Sequence, residues 1–66
     1  MSVDLDIARR YRLHAEELRI IAADASSQGI RETLLHIAED YERMASSLEA
    51  IDKTNKALAA RYAKEG

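Results

Sequence analysis

The two histidines are the residues of this chain with the most obvious chemistry. Glu17 follows His14 by three and Glu39 follows His36 by three, so each imidazole has a carboxylate one helical turn away. Such a pair could begin a metal site. Carboxylate di-metal centres in helical bundles use the reverse order, Glu-x-x-His, with further glutamates projecting inward. No Glu-x-x-His occurs in this chain. Glu32 precedes His36 by four, but that pair falls on the polar outer face, and Glu16, Glu17, Glu39 and Glu42 also lie off the apolar stripe. A metal is therefore not expected. His14 is expected half-buried near Tyr41, its ring bonded to the phenol or to water.

Other chemistries are thinner still. Absence of cysteine removes disulfides and thiolate metal sites. Ser2, Ser26, Ser27, Ser46 and Ser47 have no flanking motif that would supply a base and an orienting group. The only glycines are Gly29 and Gly66, too few for a phosphate-cradling loop. No catalytic, cofactor-binding or metal residue is expected, and the chain reads as non-enzymatic.

The elements carrying these side chains are legible from their period. Asp4 and Asp6 suit the positive end of a helix dipole, with Ser2 or Asp4 as N-cap. Ile7, Ala8, Tyr11, His14, Ala15, Leu18, Ile21, Ala22 and Ala25 then recur at amphipathic helical spacing. Ser26, Ser27 and Gly29 interrupt the pattern as turn and cap residues, with Ser27 placed to cap a second helix. That helix fills every a and d position of a heptad with Ile30, Leu34, Ile37, Tyr41, Met44, Leu48, Ile51, Asn55, Leu58 and Tyr62. Ala38, Ala45 and Ala59 occupy e positions. Asp6–Arg10, Glu39–Arg43, Glu49–Lys53 and Asp52–Lys56 have favourable i,i+4 spacing, and Lys64 and Gly66 suit a helix end. AEELRIIA (15–22) and AEDYERMA (38–45) echo one another, through duplication or through convergence on one helix pattern.

The expected fold is an all-α antiparallel hairpin, one domain over 1–66, with helices at about 3–25 and 28–63. Folding at Ser27 sets Leu18 near Ile37, Tyr11 near Met44 and Ala8 near Leu48. The first helix runs out opposite about residue 52, leaving an overhang of roughly 15 Å at 1.5 Å per residue. A 66-residue chain without disulfides is marginal alone. Leu13, Ile20 and Leu35 add apolar groups off the main stripe. These features predict self-association, most simply a two-fold dimer forming a four-helix bundle. The expected interface residues are Leu48, Ile51, Asn55, Leu58 and Tyr62 with Leu13 and Ile20. Asn55 has two readings: a polar group at an a position that fixes register, or a residue facing water near a frayed end.

Charge is segregated along the chain. The net charge is -2, so no overall basic field attracts nucleic acid. Residues 1–12 and 53–66 nevertheless hold seven basic against three acidic side chains, a balance of +4, and the middle carries -6. A hairpin brings both termini to one end, which becomes basic. Arg9, Arg10, Arg12, Lys53 and Lys56 are the candidate contacts there for an anion or acidic partner. Nucleic-acid binding through this end is the rival to an assembly role, although no stacking platform or helix-turn-helix spacing supports it. No apolar run approaches a membrane span and no signal-peptide pattern opens the sequence, so a cytoplasmic protein is expected.

YRLHAEELRIIA (11–22) and LLHIAEDYERMA (34–45) resemble a group of small uncharacterised alphaproteobacterial proteins. Their pattern joins an AEELR-type first helix to a second helix matched here by Arg31, Leu34, Leu35, Ile37, Ala38, Tyr41, Glu42, Met44 and Ala45. The resemblance spans the middle two-thirds and stops before the extension from Ile51. It implies a bacterial helical-hairpin protein and no particular activity.

Overall fold

The computed structural model describes residues 2–65, with side chains described through residue 63. It is the expected all-α hairpin. Helix α1 runs Val3–Asp24 and helix α2 runs Gln28–Glu65. Ser2 caps α1: its Oγ accepts from the Leu5 N–H at 3.2 Å, and Asp4 and Asp6 sit in the first turn. Ala25 ends α1 in extended conformation. Ser27 caps α2, its carbonyl accepting from the Arg31 N–H at 3.0 Å and its Oγ from the Ile30 N–H at 3.4 Å. Gly29, expected in the turn, lies instead in the first turn of α2 without a positive φ. The helix-end roles expected of the Lys64 side chain and Gly66 lie outside the described residues.

The helices meet on a different line from the expected one. The buried apolar residues are Ala8, Ala15 and Ala22 on α1 and Ala38 and Ala45 on α2. Each set recurs every seventh residue, and Asp52, also buried, continues the second. The e positions form the seam, and the a/d stripe flanks it. Small side chains explain the change, because a methyl lets two backbones approach closely while larger groups are displaced to the side. Leu34, Tyr41 and Leu48 are half-covered there, as are Ile7, Tyr11 and Leu18 of α1. The expected levels hold: Tyr11 and Met44 line one groove, and the rings of Tyr11 and Tyr41 lie 5.4 Å apart.

α2 is 38 residues long against 22 for α1. At 1.5 Å per residue it accounts for about 57 Å, in keeping with the 60 Å long axis of the molecule. Beyond Asp52, residues 53–63 are all exposed, so the expected overhang is present. No helix among the described residues is long and apolar enough to cross a membrane.

Candidate functional site

Packing on the alanine line gives the hairpin two unlike broad faces. At 100° per residue, Ile7, Tyr11, His14, Leu18 and Ile21 of α1 fall on the same side of the seam as the a/d residues of α2. Tyr41 lies against both Tyr11 and His14 with tilted rings, centroids 5.4 and 5.5 Å away, which puts the three on a common side. Much of this face is bare. Ile30 is 58% exposed, Ile37 39%, Met44 40% and Ile51 50%. A shallow groove lined by Ile7, Tyr11, Met44 and Leu48 runs along it, and another at the turn end is lined by Ile21, Ala25, Ile30 and Leu34. No large side chain among the described residues is fully buried.

An ionic cluster occupies the opposite face. Arg12 donates from Nη1 to Glu42 at 3.0 Å and from Nε to Glu49 at 3.3 Å, while its Nη2 donates to Glu49 and to the Ser46 hydroxyl. Arg19 donates to the other oxygen of Glu42 at 3.0 Å. Two arginines of α1 are thus laced to two glutamates of α2. The Arg19 hydrogen bond, aided by Arg12, holds the Glu42 carboxyl below its ordinary range, and Glu49 first and then Glu42 hold the Arg12 guanidinium more firmly protonated.

The ends of the alanine line carry a third arrangement. Arg31, Ala38, Ala45 and Asp52 share one heptad position of α2. Arg31 reaches back to the last turn of α1, donating from Nε to the Ala22 carbonyl at 3.2 Å and from Nη2 to the Ala25 carbonyl at 2.8 Å. α1 has no basic residue in its own last turn, so α2 supplies the cation that its carbonyl end favours. Asp52 does the converse at the other end. It lies against the Ser2 hydroxyl and pairs with Lys56 at 3.0 Å, and these two contacts hold its carboxyl below the ordinary range. A cation and an anion of α2 thereby complement both poles of the α1 dipole.

Several expected contacts change in consequence. Arg12, named as an anion contact, is committed to Glu42 and Glu49, and Lys56 to Asp52. Arg9, Arg10 and Lys53 remain exposed at the open end, without an ion pair among the described residues. Asp52–Lys56 and Glu39–Arg43 form, the latter at 3.9 Å. Asp6–Arg10 and Glu49–Lys53 do not appear among the described residues, and Glu49 turns to Arg12 because that side chain reaches it across the seam. Glu42, expected to be a solvated outer-face residue, is half-covered in the ion cluster.

His14 is exposed rather than half-buried, its side chain 56% accessible, with Nδ1 3.3 Å from Glu17. His36 Nδ1 is 3.9 Å from Glu39. No group of three or more potential ligands converges among the described residues. Leu48, Ile51, Asn55, Leu58 and Tyr62 lie along the apolar face or its continuation. Leu13 and Ile20 point away from the seam on the back of α1 and do not share that face.

Sequence reasoning missed the Arg31 cap and the Arg12–Glu42–Glu49–Arg19 cluster. Both depend on which e and b positions oppose each other across the seam. The seven-residue alanine period was the available signal. No family model, curated protein or solved structure matches this chain, so its functional reading rests on the residues themselves.

Proposed function

We propose that the hairpin is a non-enzymatic assembly module that pairs with a second copy of itself through the apolar face, giving a four-helix bundle. One observation carries this reading: the buried apolar set of the described chain is five alanines, while Ile21, Ile30, Ile37, Met44 and Ile51 lie largely exposed along one side. Burying such groups is the dominant favourable term in folding and association. A second copy presents the same chemistry, as a two-fold interface requires. In this reading the interface is Ile7, Tyr11, Ile30, Ile37, Met44 and Ile51, continued by Leu48, Leu58 and Tyr62, while Leu13 and Ile20 stay outside it. A cytoplasmic setting and kinship with the alphaproteobacterial hairpin group belong to the same proposal.

Face-selective charge insertion tests it. Met44→Asp should halve the solution mass measured by light scattering, whereas Leu13→Asp should leave it unchanged. Equal masses for both variants and the wild type would overturn the choice of face.

The exposed Arg9, Arg10 and Lys53 at the open end favour a second reading, in which that end docks an acidic partner or nucleic acid. A gel shift at low salt, lost on Arg9→Ala/Arg10→Ala, supports it; no shift at low salt removes nucleic acid as the ligand.

A further inference from the structure

We infer that the two hairpins pair with opposite polarity, so that the α2 overhang of each covers the turn-end groove of the other. This rests on the dimer proposed above and specifies how it is built. The exposed d positions of α2 are Ile30, Ile37, Met44, Ile51 and Leu58. The set is symmetric about Met44. When α2 lies antiparallel on a second α2 with the two-fold axis at that residue, Ile30 comes level with the partner's Leu58 and Ile37 with the partner's Ile51.

The same axis gives the overhang a bed. Residues 54–60 of one copy fall level with 28–34 of the other, over the groove lined by Ile21, Ala25, Ile30 and Leu34. Asn55 comes level with the partner's Thr33. The Thr33 hydroxyl donates to the Gly29 carbonyl at 2.9 Å and keeps lone pairs that can accept from an amide. The amide in the apolar stripe then meets a polar group at its own level.

Charge selects this polarity over its alternative. Lys53 and Arg61 on the extended arm approach a turn end that carries Asp24 and Glu32. A dimer with both open ends together would gather Arg9, Arg10, Lys53 and Arg61 of both copies in one place, and would leave the turn-end groove bare.

The chain lacks cysteine, so introduced thiols report without background. With a short thiol cross-linker, an equimolar mixture of Ile30→Cys and Leu58→Cys should give a heterodimer of twice 7.4 kDa, and Met44→Cys should link to itself. Leu58→Cys alone should not, since its two copies lie 28 residues apart, about 42 Å along the bundle. A readout that spares the apolar face is the distance between spin labels on Ala60→Cys. Opposite polarity predicts about 48 Å. Self-linking of Leu58→Cys with a short Ala60 distance would overturn the polarity and leave the dimer standing. A monomeric mass for the unmodified chain would instead remove the dimer on which it rests.

Discussion

Ala45 is fully buried on the line where the two helices approach, as is Ala15 on α1. Replacing Ala45 with leucine adds three carbon atoms at a site with no accessible surface. Two outcomes compete: extra apolar burial stabilises, and forced separation of closely packed backbones destabilises. In well-packed interiors the second wins, typically by about 1–3 kcal/mol. Here separation would also stretch the Arg31 bonds to Ala22 and Ala25 and the Arg12 bonds to Glu42 and Glu49, so the upper part of that range is expected. At about 2 kcal/mol, a domain of 60–100 residues loses roughly 8–16 °C in Tm. The assay is thermal unfolding followed by far-UV circular dichroism at fixed chain concentration, because association makes Tm concentration-dependent. Ala50→Leu on the exposed surface of α2 is the control, expected within about 0.5 kcal/mol of wild type. An Ala45→Leu protein as stable as the Ala50→Leu protein would refute close approach on the alanine line.

Other substitutions test neighbouring contacts. Arg31→Ala removes two charged hydrogen bonds to the carbonyl end of α1 and should lower stability by about 1 kcal/mol in urea titration, with Arg31→Lys recovering part of it. Gly29→Ala should stabilise by about 0.5–1 kcal/mol, since a methyl there meets only the Ser27 hydroxyl at 3.7 Å and glycine is a poor helix former. Glu42 and Asp52 are more acidic in the folded chain than in the unfolded one. Their contribution is therefore complete above the ordinary carboxyl pKa values of 4.5 and 3.8 and is lost as pH falls through the lowered folded values. Denaturation midpoints should fall below about pH 4.5, and Glu42→Gln should flatten that decline. Asn55→Leu should raise stability yet broaden the distribution of oligomers seen by native mass spectrometry; a single oligomer of unchanged stability would mean that Asn55 only faces water.

The helices, their caps and their relative level follow from local rules and were readable directly. Ser2 and Ser27 cap because their hydroxyls satisfy the first free amides, and Ala25 to Ser27 break the apolar period. The seam was harder. A heptad with large a and d residues ordinarily marks the line of contact, and Ile30, Ile37 and Met44 point to that line on hydrophobicity alone. Alanine contributes little to such a pattern because its methyl is small, yet smallness is what permits close approach at Ala15 and Ala45. Once the seam rotates to the alanines, Arg12, Arg19, Glu42 and Glu49 turn from solvated surface into a cross-helix cluster. His14 moves the other way, from an expected half-buried site to an exposed one.

The apolar face was visible as a stripe, but the hairpin was expected to cover more of it. Instead α1 covers the alanines, and the stripe stays open along the hairpin as well as on the overhang. The case for a second copy thus extends from residues 53–63 to the full length of α2. The most direct measurement is the light-scattering mass of the unmodified chain across a dilution series from high to low micromolar concentration. The expected value is twice 7.4 kDa, falling only on strong dilution. A mass of 7.4 kDa throughout, with unfolding independent of concentration, would contradict self-association through the apolar face.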